Sequence, residues 1–253
     1  MRERPDKQRF DFEAVFEPDD YLYFYGETLT GERTAKEVEF LVRELGLDRP
    51  MKVLDLACGY GRHSNRLAQL GHSVVGVDIT AGFLEIAQKD AEAKGVNVSY
   101  IRRDMREIDF RQEFDRVLLL FTSFGYFEDE DNLRVLENIA RSLRPGGLFC
   151  FDTFNRDTFL KTSLPYHVAE TGQDLMINRI SFDSVQGRLY NRRIVIRDGQ
   201  RKDKPFFVRI YSPTEMVSLL AGVGLSVHRM YTDFESKPFS CESRRMIVIA
   251  GKV

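Results

Sequence analysis

Three carboxylates and two glycines carry the spacing on which chemistry can be built in this chain. From Lys52 to Asn65, KVLDLACGYGRHSN, an apolar run, an acid, a small-residue turn and a helix start follow one another without a spare residue. Val53, Leu54 and Leu56 have the pattern of a short buried strand of a parallel sheet. Ala57, Gly59 and Gly61 then leave little side chain at the turn, so a ligand can lie against bare backbone. The helix expected from about Gly61 to Leu70 aims its unpaired N–H groups at the same place and favours an anionic group there. Asp78 follows nineteen residues after Gly59, at the end of a second apolar run, Ser73 to Val77. One strand–helix unit returns that strand tip to the first turn, where a carboxylate can accept both hydroxyls of a ribose. Asp104, within RRDM, sits at a third tip. Together these residues form a cradle for a nucleotide-type ligand.

Two ligand classes use such a cradle. A dinucleotide fingerprint asks for G-x-G-x-x-G/A. Here the register is Gly59, Gly61, Ser64, and Asp55 would face a pyrophosphate. DLACGYG instead resembles the D/E-x-G-x-G-x-G loop of class I S-adenosylmethionine-dependent methyltransferases, with Ala57 where the first glycine usually stands. In those enzymes the loop and its acid hold the methionine end of the cofactor, whose amino group is cationic. The resemblance therefore implies that Asp55, Ala57, Gly59 and Gly61 bind S-adenosylmethionine and that Asp78 takes the ribose. It further implies that Ile79 packs on the adenine, that Asp104 and Met105 meet the adenine edge, and that Phe121 belongs to the cofactor-binding set. No metal is expected.

The elements that position these residues follow in order. The first 32 residues are polar and then aromatic, with Phe10, Phe12, Phe16, Tyr21, Tyr23, Phe24 and Tyr25, a segment expected to pack on the main domain and to form a lid over the cleft. Val38, Leu41, Val42 and Leu45 have helical spacing, closed by Gly46. Beyond the cradle, a helix is expected over Thr80 to Lys94 and strands over Asn97 to Arg102 and Phe114 to Phe121. A helix over Asp129 to Leu143 and a fifth strand after Pro145, Gly146 and Gly147 come next. A helix from Pro213 to about Val223 and two strands, Leu225 to Tyr231 and Arg244 to Lys252, end the chain. The order predicts an α/β fold, a doubly wound Rossmann-like sheet, and the resemblance implies seven strands with the last antiparallel. Residues 155–212 change period to strict alternation, with Gln186-Gly187 and Asp198-Gly199 as hairpin signals. They are expected to be an antiparallel β insertion that roofs the acceptor site. The parts expected are thus a lid (1–32), a cofactor-binding domain (33–154 and 213–253) and the insertion (155–212).

At 253 residues the chain can bury a full core. Its 37 basic and 39 acidic residues leave a net charge of −2, which gives no support to a nucleic-acid backbone as obligatory partner. Arg188, Arg192, Arg193, Arg197, Arg201, Lys202 and Lys204 are expected to be the wet face of the insertion. Cys58, Cys150 and Cys241 have neither zinc nor disulfide spacing and suit a reducing cytosol. With no signal-peptide pattern and no apolar run of membrane length, the protein is expected to be soluble and cytoplasmic, without membrane partners.

Methyl transfer from a sulfonium is an in-line displacement with a neutral leaving group. Aiming the nucleophile can supply about 7 to 11 kcal/mol, whereas a general base contributes roughly 10²- to 10⁴-fold. Positioning is the larger effect, and no catalytic triad is needed. Residues just past the fourth strand face the crevice, which makes Ser123, Phe124 and Tyr126 acceptor-binding candidates, joined by Asn155 and Tyr211. Tyr126 and His167 are the candidate catalytic residues; His63, on the cradle helix, is read as structural or near the cofactor. The RTAKEVEFL helix with Arg33, Asp104 to Arg106 with SFGYF, and the insertion after FDTFNRD make the chain similar to glycine N-methyltransferase and to amino-sugar N,N-dimethyltransferases. That similarity implies that Arg33 pairs with the cofactor carboxylate, and a small-molecule acceptor with nitrogen favoured over oxygen or carbon. Three other readings stay open: an RNA methyltransferase using the basic insertion, a catalytically silent cofactor-binding module and, least favoured, an NAD enzyme. A homodimer is one assembly the sequence allows.

Overall fold

A computed structural model describes residues 11–252; Phe10 and the other residues of 1–10, part of the expected lid, and Val253 lie outside the described residues. The aromatic N-terminal stretch folds into two short helices, α1 (Phe12–Val15) and α2 (Pro18–Tyr25), capped by the side chains of Asp11 and Glu17. Helix α3 (Gly31–Leu45) starts where Thr30 accepts a hydrogen bond from the Arg33 N–H and ends at Gly46, which takes the left-handed conformation. There follow β1 (Lys52–Leu56), α4 (Arg62–Gln69), β2 (Ser73–Asp78), α5 (Ala81–Ala93), β3 (Val98–Arg102), β4 (Phe114–Leu119), α6 (Asp129–Ser142) and β5 (Leu143–Phe154). The insertion contains α7 (Arg156–Thr162), β6 (Tyr166–Thr171), β7 (Asp174–Asp183), β8 (Arg188–Arg197) and β9 (Gln200–Arg209). Helix α8 (Pro213–Gly222), β10 (Leu225–Tyr231) and β11 (Arg245–Lys252) complete the chain.

Seven strands form one sheet in the order β3-β2-β1-β4-β5-β11-β10. The first five run parallel, and β11 is antiparallel to both β5 and β10. The expected Rossmann-like sheet with its antiparallel last strand is therefore present. Helices cover both faces, which is why the strands read as nearly continuous apolar runs. Leu54, Leu56, Phe149 and Phe151 pack with α6 and α8, while Val53, Leu118 and Cys150 pack with Phe40, Leu41 and Leu67 of α3 and α4. The winding reverses between β1 and β4, and ligands of such sheets sit outside the carboxyl ends at that point.

Strands β6 to β9 form a second, antiparallel sheet. Asp198 and Gly199, both at positive φ, make the two-residue turn between β8 and β9. The sequence reading missed α7, which Asn155 caps by accepting from the Asp157 N–H at 3.2 Å. It also misassigned two of the seven basic residues, while Arg192, Arg201 and Lys202 are exposed as expected. Arg193 and Lys204 are only 9% and 5% exposed, because strand alternation turns them, with Leu189, Asn191 and Val208, inward, where they meet Tyr25 and Asp20 of α2 rather than water.

Candidate active site

At the end of β1 the backbone turns through residues of positive φ: Ala57 (49°), Gly59 (54°) and Gly61 (75°). Ala57 thus adopts a conformation that glycine takes at no steric cost. A Cβ on Gly59 would meet no atom within 4 Å, so that side of the turn is open, and Gly59 lines a cavity of about 670 Å³. Gly61 has a different reason. Its Cβ would lie 2.2 Å from the Tyr100 hydroxyl oxygen, and it does not line the cavity. The third small residue therefore serves the packing of α4 on the sheet.

Asp55 is buried and accepts a 2.6 Å hydrogen bond from the Ser64 hydroxyl. Burial, reinforced by the negative charge of Asp78, pushes its carboxyl up to about 6. Asp78 closes the turn: Oδ2 accepts the Gly59 N–H and Oδ1 the Thr80 N–H, each at 2.8 Å. It too is raised by burial, against those backbone donors. Ile79, Asp104 and Met105 line the same cavity. Arg106 grips Asp104 through Nη2 at 2.6 Å and through Nε, which fixes the carboxylate at the cavity wall.

Arg33 does not line this cavity. Glu37 holds its Nε at 2.9 Å, and the guanidinium lies 5.6 Å from the Phe121 ring centroid. Arg62, which also bonds Glu37, does line it. His63 is fastened to the same carboxylate at 2.8 Å. Burial and the Arg62 charge depress its pKa to about 4 against the pull of Glu37, so at neutral pH it is an uncharged structural member.

The exit of β4 shows the tightest backbone. Phe121 and Thr122 both have positive φ, and both donate their N–H groups to Asp152, at 2.6 and 3.0 Å. Asp152 is fully buried at the end of β5. It thereby holds Phe121, Thr122 and Ser123 against the cavity. Neither Glu37 nor Asp152 was anticipated from sequence, since Glu37 reads as one of several charges on a helix and Asp152 as an isolated acid in an apolar strand. Tyr126 lines the cavity between the Phe16 and Phe206 rings. Three acceptor candidates lie elsewhere. Phe124 is in the core against Phe151 and Tyr211; Tyr211 is buried with its hydroxyl accepting from Asn132 Nδ2 at 3.2 Å; and Asn155 bonds Thr158 and the Ser243 carbonyl. These three support the fold and do not line the cavity.

The chain matches the profile of a methyltransferase domain over residues 53–147, which spans the cradle, β4 and the helix after it. It is 29% identical to dTDP-4-amino-2,3,4,6-tetradeoxy-D-glucose N,N-dimethyltransferase of Saccharopolyspora spinosa over 187 residues, 73% of this chain and 71% of that one. The protein is an S-adenosylmethionine-dependent methyltransferase. It is also 30% identical to a glycine/sarcosine N-methyltransferase of Parasynechococcus marenigrum (strain WH8102) over 175 residues, 64% of this chain and 62% of that one. Among solved structures, the CcbJ methyltransferase of Streptomyces caelestis shares the fold with a TM-score of 0.77 at 20% identity, covering 90% of this chain and 98% of that one.

The residues present fit this methyltransferase's cofactor. A buried acid adjoins an open glycine turn, and a second buried carboxylate lies at the tip of β2. A cationic amino group beside Asp55 favours the ionised acid, whereas the free protein favours the neutral acid below about pH 6. S-adenosylhomocysteine affinity is therefore expected to fall by about tenfold per unit as the pH drops below 6. Calorimetric titration between pH 5 and 8 checks this, and Asp55→Asn is expected to flatten the profile.

The roof of the methyltransferase cavity comes from α1, α2 and the insertion. Tyr21 packs on Phe83 and Tyr25 on Phe121, and Ile180, Asn191 and Phe206 of the insertion line the same cavity. His167, on β6, reaches the rim and is exposed. Asp20 of α2 is 4% exposed and accepts from Lys204 Nζ at 2.8 Å, Lys202 Nζ at 3.1 Å and Arg197 Nη1 at 3.2 Å. Burial alone would raise its pKa, but the three cations outweigh it and hold it at about 2. The depressed value means that the latch contributes stability above about pH 4 and loses it as the pH falls toward 2. Asp20→Asn is expected to speed S-adenosylhomocysteine release about tenfold, equivalent to about 1.4 kcal/mol. Stopped-flow displacement measures it, and an unchanged rate would mean that α2 does not gate the site.

Proposed function

We propose that the protein transfers the methyl group of S-adenosylmethionine to a nitrogen of a small-molecule acceptor bound beneath the insertion. The observation that carries this reading is the single cavity that runs from Gly59 and Asp78 at one end to Asn178, Ile180 and Phe206 at the other. Its about 670 Å³ lies in the range of small-ligand sites, and its walls are mostly aromatic and aliphatic. The two N-methyltransferase relatives favour nitrogen.

Bound S-adenosylmethionine would supply an electrophilic methyl group. Asp55, Ala57, Gly59, Asp78, Ile79, Asp104, Met105 and Phe121 would hold it, with Arg62 taking the place that the resemblance gave to Arg33. Ser123 and Tyr126 would face the acceptor. Burial pushes the Tyr126 phenol up to about 12, so it stays protonated at neutral pH and can position an acceptor without acting as its base. His167 is the one histidine at the acceptor end of the cavity among the described residues. A neutral amine brings its own lone pair, and His167→Ala is accordingly expected to keep kcat within about tenfold, short of the roughly 10²- to 10⁴-fold that a lost general base costs. A larger loss would favour a hydroxyl acceptor.

Ion pairing speaks against RNA. Arg192 and Arg201 pair with Asp203, Arg188 with Glu128, and the Asp20 latch takes three more cations. The test is transfer of radiolabelled methyl to a panel of small amines, alcohols and total RNA. Labelling of amines supports the proposal, while labelling of RNA alone, or of nothing despite cofactor binding, contradicts it.

A further inference from the structure

Six of the seven basic residues from Arg188 to Lys204 have a carboxylate partner; Arg193 has none among the described residues. The residue is 9% exposed and lines the cavity. Nε donates to Asn178 Oδ1 at 3.1 Å, Nη2 donates to the Tyr25 hydroxyl at 3.3 Å, and the group lies 5.0 Å from the Phe206 ring centroid. These contacts orient the fork without neutralising it, and they use two of its five N–H donors. Burying a guanidinium with no counter-charge costs several kcal/mol. The neighbouring Lys204, directly opposite in register, avoids this cost through Asp20.

A second observation lies beside it. Asn191, also lining the cavity, donates through Nδ2 to Asn178 Oδ1 at 3.0 Å, while its own Oδ1 is buried with no hydrogen-bond partner among the described residues. A buried amide oxygen without a donor is a costly defect unless a ligand supplies one. Arg193 thus offers unused donors and positive charge, and Asn191 offers an unused acceptor, on one face of β8.

The geometry points to an anion subsite: the methyl acceptor carries a carboxylate or phosphate that Arg193 binds, and an N–H or O–H donor nearby that Asn191 Oδ1 receives. This rests on the small-molecule reading above and narrows its substrate class to acidic amines. An arginine fork matches the two oxygens of either anion.

The test uses the full chain saturated with S-adenosylhomocysteine, so that the cofactor end is filled before any anion is added. Acetate, inorganic phosphate and the neutral analogue acetamide are titrated at constant ionic strength and followed by thermal shift. At least one anion is expected to raise Tm saturably, acetamide is not, and Arg193→Gln is expected to raise the half-saturating concentration at least tenfold with S-adenosylhomocysteine affinity within twofold. Acetate alone would mark a carboxylate acceptor, and phosphate alone a phosphorylated one. Neither anion binding, acetamide binding equally, or an unchanged Arg193→Gln would overturn the subsite and leave the methyltransferase assignment intact. A tenfold loss of S-adenosylhomocysteine affinity in Arg193→Gln would also overturn it, by giving the guanidinium to the cofactor. The wild-type comparison of acetate and phosphate with acetamide decides the matter even if the variant does not fold.

Discussion

Asp78→Ala is expected to weaken S-adenosylhomocysteine binding by at least about 100-fold. The carboxylate does two jobs in one place. It accepts the Gly59 and Thr80 N–H groups at 2.8 Å, which fixes the turn after β1, and it lines the cavity at the tip of β2. Hydrogen bonds to a charged acceptor are worth about 1.5 to 3 kcal/mol each, and 100-fold in affinity is about 2.7 kcal/mol. Losing the two backbone bonds would therefore reach that figure before any contact to a ribose is counted. Asp78→Asn keeps the shape and one acceptor oxygen, so its loss is expected to be smaller. Calorimetry on both variants measures the effect, and wild-type affinity in Asp78→Ala would show that the tip of β2 does not bear on the cofactor.

Asp152→Ala is the second large effect, and it acts through another residue's backbone. Its side chain holds consecutive left-handed residues, Phe121 and Thr122, at the exit of β4. Removing it leaves two N–H groups without acceptors, at about 1 to 3 kcal/mol each. A loss of about 3 kcal/mol corresponds to roughly 6 to 12 °C in Tm for a chain of this size. Release of the strained loop would also shift Phe121 and Ser123 at the cavity wall. A misplacement of about 1 Å can cost 10²-fold in rate. For the acceptor found in the amine screen, kcat is thus expected to fall about 10- to 100-fold with S-adenosylhomocysteine affinity changed far less. Thermal unfolding and steady-state kinetics together test this, and an unchanged kcat in a folded variant would remove Asp152 from the catalytic account.

The parts of this architecture that the sequence discloses are those written locally. Thr30 and Gly46 bracket α3, Asp198-Gly199 turns β8 into β9, and the apolar runs before Asp55 and Asp78 are strands because helices cover both of their faces. The cradle was legible for the same reason: its acid, its small residues and its helix start are neighbours in the chain. What stayed hidden depends on partners far away. Gly61 is small because Tyr100 needs the space. Lys204 points inward because Asp20, 184 residues earlier, waits for it, which is why an alternating basic pattern looked like a wet face. Phe124 looked like an acceptor contact by its place after a strand, yet its ring, with that of Tyr211, completes the core beneath it. Asp152 sits in an apolar strand whose one acid finds its donors on a different strand's exit.

The central claim is that the turn after β1 grips an adenosyl amino acid and presents its sulfur toward the insertion. A crystal structure of the protein with S-adenosylhomocysteine tests it most directly. The account predicts the ribose hydroxyls on Asp78, the homocysteine amino group near Asp55, and the sulfur facing Tyr126. Density for the ligand anywhere else, or a diphosphate seated at Gly59 in its place, would contradict it.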